Sequence, residues 1–189
     1  MISDTPSANP GTTPAYVDAD TFRWVMRSLA CTVTVISTEN DGLHGFTATA
    51  VCSVCADPPT VLIAVNRSAR THAHIARRQA FVVNVIAQDQ QSIAEKFSTK
   101  DTDPFSAVPH SLTHDGVPRI DGTSAFLECV VREMSDVGTH TIFIGSIVNA
   151  GASGKAPLLY HDGQYKEFGE TFASSRVIRP KYIQPGDTV

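Results

Sequence analysis

Nowhere in the 189 residues does an apolar run approach the about 18 residues that a membrane-spanning helix needs. The first residues, MISDTPSANPGTTPAYVD, lack the basic start and apolar stretch of a secretory signal, so a cytoplasmic chain is expected. Four cysteines, Cys31, Cys52, Cys55 and Cys129, are too few and too scattered for a secreted disulfide scaffold. There is no basic excess. With 15 Lys and Arg against 19 Asp and Glu the net charge is -4, which argues against a nucleic-acid partner. The G-x-G-x-x-G turn of a dinucleotide-binding βαβ unit and the G-x-x-x-x-G-K-[ST] of a phosphate loop are both missing. So is the G-x-S-x-G of a serine hydrolase. Any nucleotide must therefore be held by another route.

What remains has an ordinary globular composition, 42% hydrophobic and 18% charged, of a length that suits one domain. Residues 1–17, rich in Pro, Ser and Thr, read as a mobile arm and 170–189 as a polar tail, leaving 18–169 as the domain. A helix opens it, with Asp18 or Asp20 as cap and Phe22, Val25, Met26 and Leu29 at helical spacing. Strands are expected at Thr32–Ser37, Thr60–Val65, Phe81–Ile86, Ala125–Met134 and Thr141–Val148. A closing hairpin, Leu158–Tyr160 and Gln164–Phe168, turns at His161-Asp162-Gly163. Helices are expected near Ala69–Arg77 and over Gln90–Phe97, the latter capped by Asp89. Many strands with few helices fit a closed antiparallel barrel with peripheral helices better than a doubly wound sheet.

Three segments could carry chemistry. Gly45–Val54 is small and hydroxyl-bearing, so a planar ligand could lie close to its backbone; on pattern alone a Thr-rich strand with one solvated face is the plainer reading. Asn66-Arg67-Ser68-Ala69-Arg70-Thr71 opens a helix and offers N–H groups and charge to one phosphate, or is simply a Ser cap with exposed arginines. His140, after Gly138 and Thr139, stands at a strand entry where it could face a cleft or plain solvent. Cys52-x-x-Cys55 is half of a zinc site without a second half, and on a continuous strand over residues 47–55 the two thiols would point to opposite faces. No metal is expected.

The order of FRWVMRSLACTVTVIST, GFTATAVCSVCADPPTVLIAVNRSART, FVVNVI, AEKF, GTHTIFIGSIV and APLLYHDGQYKEFG resembles the flavin reductase family of two-component flavin monooxygenases, over about residues 22–169. The resemblance implies a homodimeric, FMN-binding split β-barrel. It implies hydride transfer from NADH or NADPH to FMN or FAD, with reduced flavin passed to a partner monooxygenase or halogenase. By position it implies that Thr47, Ala48, Thr49, Ala50 and Ser53 face the ring and ribityl chain. Asn66, Arg67, Ser68, Arg70 and Thr71 would hold the phosphate, Lys96 and Phe97 would touch flavin, and His140 would serve the nicotinamide. Three features depart from the family: Thr139 replaces an Asp, Ala50-Val51 replaces a Ser–Phe pair, and Cys52 and Cys55 stand where Thr and Ser are common. A non-catalytic flavin- or haem-binding barrel is the main alternative, followed by a pyridoxamine phosphate oxidase and a zinc-dependent interaction module.

Overall fold

The computed structural model describes residues 16–99 and 103–169. The expected arm, apart from its last two residues, and the expected tail lie outside them.

Helix α1 (Ala19–Arg27) is capped by Asp18, whose carboxylate accepts from the backbone N–H groups of Asp20 and Thr21. Strand β1 (Cys31–Thr32) follows, then β2 (Thr34–Glu39), β3 (Leu43–Ala48), β4 (Val51–Ala56) and β5 (Pro59–Asn66). Helix α2 (Arg70–Arg78) leads into β6 (Ala80–Val85), and α3 (Gln91–Ser98) precedes a small hairpin of β7 (His110–Leu112) and β8 (Pro118–Ile120). Two long strands, β9 (Ala125–Val137) and β10 (His140–Ala152), and the short β11 (Leu159–His161) and β12 (Gln164–Lys166) complete the fold.

Seven strands form one antiparallel sheet in the order β3-β2-β6-β9-β10-β5-β4. Its two edge strands, β3 and β4, are joined by only Thr49 and Ala50. Three peptide steps reach at most about 11 Å, so the sheet must curl until its edges meet at that corner. The result is a barrel that is split between β3 and β4. Alternation along the strands supplies two cores. Ile36, Ile63, Val65, Phe81 and Phe143 fill the barrel, with Ile75 of α2 plugging one end. Val33, Val35, Ile86, Phe97, Phe105 and Leu158 pack in a second layer under α3 and the short hairpin. Strand β2 is thus buried on both faces from Thr34 to Thr38.

The structure departs from the sequence expectations in four places. Thr32–Ser37 is not one strand: Thr32 pairs in a three-stranded sheet with β11 and β12, and Val33 crosses to the barrel. Residues 47–55 are also broken, at Thr49–Ala50. In addition, a β-bulge between Ser53 and Cys55 sets Cys52 opposite Leu62 and Cys55 opposite Thr60. Those partners are two apart, so both thiols share a face, contrary to the expectation of opposite faces. Asp89 does not cap α3. A 3-10 turn (Gln88–Gln90) intervenes, Gln90 holds the cap position, and the Asp89 carboxylate pairs with Lys155 at 2.9 Å. The cap position of α2 is Ala69, not Ser68.

Gly45 on β3 lets α3 close on the barrel. A Cβ there would stand 2.7 Å from Cε1 of Phe97 and 3.2 Å from the Ile36 carbonyl oxygen. Because the Phe97 ring is 3% exposed, it has nowhere to swing. Gly45→Ala is therefore expected to cost about 1–3 kcal/mol by overpacking, measured by urea denaturation.

Candidate active site

The crossover Thr47-Ala48-Thr49-Ala50 lies at the barrel's open corner. The Thr47 hydroxyl donates to the Ala94 carbonyl at 2.6 Å and so binds the end of β3 to α3. Thr47, Ala48 and Thr49 line a cavity of about 360 Å³ with Val33, Ser98, Tyr160, Gly163 and Tyr165. On the other side of Thr49 runs a groove of about 490 Å³, floored by Val51, Val83, Val85 and Leu127. Ala50 accepts a hydrogen bond from the Ala64 amide, which keeps the crossover against β5. Thr49 and Ala50 carry small, exposed side chains.

Strand β5 measures the distance to the second part of the site. Val51 lies opposite Ile63, and His140 lies opposite Asn66 on the other neighbour of β5. Three residues along a strand are about 10 Å. Asn66 and His140 share the outer face of Leu62 and Ala64. Ser53, opposite Val61, belongs to the inner face, so the structure does not bring it together with Asn66 and His140.

The loop after β5 is an Asx turn: the Asn66 side-chain oxygen accepts from the Ser68 amide at 2.9 Å and from its hydroxyl at 2.8 Å. Arg67 reaches back to the β9–β10 turn. Its amide donates to the Thr139 carbonyl, and its guanidinium donates to the Gly138 carbonyl at 2.6 Å and pairs with Asp136 at 3.3 Å. Arg70 and Thr71 open α2 and line a small cavity of about 120 Å³ with His44, Gly45 and His74. The His44 and His74 rings stack there at 3.5 Å, and burial together with the His44 neighbour holds His74 below its ordinary range. Lys96 is half-buried in the last turn of α3. Phe97 is a core residue, edge-on to Phe105.

Sequence reasoning missed two groups here. One is the Tyr160–Tyr165 pair; the expected turn at Asp162-Gly163 already implied that these residues oppose each other. The other is a polar relay at the barrel rim. The carboxylate of Asp136 can only accept, so the Thr141 hydroxyl donates to it, at 2.6 Å. Thr141 must then accept from Nε2–H of His72, at 2.8 Å, which fixes the proton on that nitrogen. Thr141 is 1% exposed. Its hydroxyl, followed by the Arg67 charge, holds Asp136 below the usual carboxylate range. The relay continues through Arg67 and Thr139 to His140, whose Nδ1 lies 3.0 Å from the Thr139 hydroxyl. Among the described residues, no three or more His, Cys, Asp or Glu are grouped to hold a metal ion.

Thr141→Val keeps the shape and removes both hydrogen bonds. Its Tm is expected to fall by about 2–4 °C near neutral pH, with Thr141→Ser restoring it. A carboxylate with a lowered pKa stabilises the fold above its unfolded value, and that contribution fades as pH falls through the lowered one. The Tm gap between wild type and Thr141→Val should therefore narrow in acid, as followed by calorimetry across pH.

Residues 26–169 match the family described as flavin reductase like domain. The chain is 36% identical over 154 residues to the reductase component of 4-nitrophenol 4-monooxygenase/4-nitrocatechol 2-monooxygenase from Rhodococcus opacus, covering 80% of this chain and 82% of that protein. It is 36% identical over 146 residues to the FMN reductase (NADH) RutF of Serratia proteamaculans, covering 76% and 81%. Among solved structures, the Streptomyces globisporus NADH:FAD oxidoreductase SgcE6, in complex with NAD and FAD fragments, superposes with a TM-score of 0.77 at 30% identity, covering 82% of this chain and 98% of that one. A match over most of the chain, on the same split barrel and from relatives of nearly the same extent, assigns the chain to the flavin reductase-like family.

Proposed function

We propose that this protein is an NAD(P)H-dependent flavin reductase that reduces FMN or FAD and supplies the reduced flavin to a partner monooxygenase or halogenase. The observation that carries the reading is the open barrel corner, where the small residues Thr47, Ala48 and Thr49 border a cavity of about 360 Å³. Small side chains at this corner fit a flat ring lying close to the backbone. When both are bound, flavin and nicotinamide supply the hydride acceptor and donor themselves. The chain's task is then to set distance and orientation and to keep water out. That agrees with a site built from strand backbone and hydroxyls without a paired acid and base.

In this reading Thr47, Ala48, Thr49 and Ala50 take the ring, and Ser53 reaches the ribityl side from the inner face. Asn66, Ser68, Arg70 and Thr71, with Arg67 and Lys96, receive the phosphate. Arg67 contributes mainly through its peptide and its bond to the hairpin turn, since its guanidinium is engaged by Asp136 and Gly138. His140 orients the nicotinamide, and Thr139 takes over by hydrogen bond the contact to its Nδ1. No described helix is long and apolar enough to cross a membrane. We place the protein in the cytoplasm, where nicotinamide cofactors are available.

We also propose a homodimer. No residue of α1 is buried, although Phe22, Val25 and Met26 are apolar, Leu29 follows just beyond its end, and Trp24 is 74% exposed. The outer face of the barrel adds Leu62, Ile142 and Ile144, half-buried in one chain. Exposed apolar surface of this kind marks an interface, and a two-fold pair is the commonest way to cover it.

Catalytic amounts of the protein should oxidise NADH only when FMN or FAD is added, as followed at 340 nm. His140→Ala should raise KM for NADH about tenfold or more and leave KM for flavin near wild type. Stoichiometric flavin binding without turnover would favour the carrier reading instead. Light scattering should return twice the chain mass, and Val25→Glu combined with Met26→Glu should return the single-chain mass.

A further inference from the structure

The closing hairpin stands outside the barrel and has no part in the roles assigned above. Its construction is nonetheless stiff. Asp162 and Gly163 adopt positive φ values of 48° and 77°, giving a tight two-residue turn that sets Tyr160 directly opposite Tyr165. Strand β11 pairs with β1, with Tyr160 opposite Cys31, and the Leu158 carbonyl accepts from the Val33 amide. Tyr165 packs against the second core layer. The two phenol rings meet edge to face, with centroids 5.5 Å apart and planes at 68°. Burial, then the neighbouring Glu95, pushes the Tyr165 hydroxyl above its ordinary range.

Both rings line the cavity that Thr47, Ala48 and Thr49 border. Two of the hydroxyls that border that cavity are spent elsewhere. Thr47 donates to the Ala94 carbonyl, and the Ser98 hydroxyl donates to the Glu95 carbonyl at 2.6 Å. What the space presents is aromatic carbon, methyl groups, the hydroxyls of Thr49 and the two tyrosines, and the free edge of β3. Among the described residues, no charged side chain lines it. Such a lining selects a flat, largely uncharged ring over a phosphate.

We propose that Tyr160 and Tyr165 form an aromatic subsite for the isoalloxazine ring, so that the closing hairpin is a flavin-specificity element. The inference rests on the flavin-binding reading and adds residues to it. Because the contact is to the ring, it is common to riboflavin, FMN and FAD and independent of the phosphate loop.

The test uses the full chain and titrates riboflavin and FMN by quenching of flavin fluorescence. Tyr160→Leu should raise both dissociation constants about fivefold or more and by the same factor, as expected for losing one stacking face. Tyr165→Phe, which keeps the ring, should bind both flavins as wild type does. Tyr160 is 38% exposed, so its truncation spares the core, and an unchanged Tm confirms a folded variant. Unchanged flavin affinity overturns the proposal. So does a loss seen with FMN alone, which would point to the phosphate, or a raised KM for NADH without change in flavin binding, which would give the wall to the nicotinamide. Wild-type protein that binds riboflavin but does not oxidise NADH would sink the reductase reading, while the same titrations would still decide the subsite.

Discussion

The two-residue connection between β3 and β4 is the constraint on which the molecule is arranged. Thr49 and Ala50 join strands that stand at opposite ends of a seven-stranded sheet, and covalent reach alone forces the sheet to close on itself. Closure gives the barrel its interior, filled by Ile36, Ile63, Phe81 and Phe143. It also leaves one corner where backbone is not paired into a ladder and side chains are small. An open corner of this kind is a place where a ligand can approach. Thr47 steadies this corner through α3, and Ala50 steadies it through the Ala64 amide.

The second layer has a different logic. The barrel face that carries Val33, Val35 and Ile86 would be solvated if α3, the 3-10 turn at Pro104–Ala107 and the β7–β8 hairpin did not cover it. Asn84, fully buried, shows how that cover is fastened. Its amide donates to the Val35 carbonyl and the Ser37 hydroxyl, and its oxygen accepts from the Ile120 amide. One side chain so joins β2, β6 and β8. A buried amide with every visible bond made specifies an arrangement more sharply than an apolar residue of the same volume would.

Much of this was legible in the residues. β-Branched runs marked β5 and β6, the Asp-Gly turn marked the closing hairpin, and Asp18 or Asp20 marked the start of α1, where the structure uses Asp18. The break at Thr49–Ala50 was not legible, because neither Gly nor Pro stands there and Thr and Ala fit a strand as well as a crossover. Asp89 misled because a carboxylate before an amphipathic stretch has the pattern of a cap. The chain at Ala87 and Gln88 is instead bonded to Pro157 and Ala156, and that bonding inserts a tighter turn and sends the carboxylate to Lys155. For the site, Asn66 and His140 are 74 positions apart in the chain, and only the register of β5 on β10 makes them neighbours. The Asp136–Thr141–His72 relay escaped notice for the same reason: its members lie on α2 and on both strands of a hairpin, and each alone has an ordinary setting.

The β5–β10 pairing has a kinetic side as well. The β2–β3 and β4–β5 hairpins join neighbours in sequence and can form early, each with half its apolar face still bare. The barrel becomes watertight only when β10, synthesised long after β5, docks between β5 and β9. Non-local pairings of this kind must overcome loop-closure entropy before any contact rewards them, which places folding in the slower, millisecond-to-second regime of β-rich topologies. On a ribosome the first half of the chain would wait with its future interior exposed. The same long-range pairing that builds the site thus makes the nascent protein a natural client for chaperones.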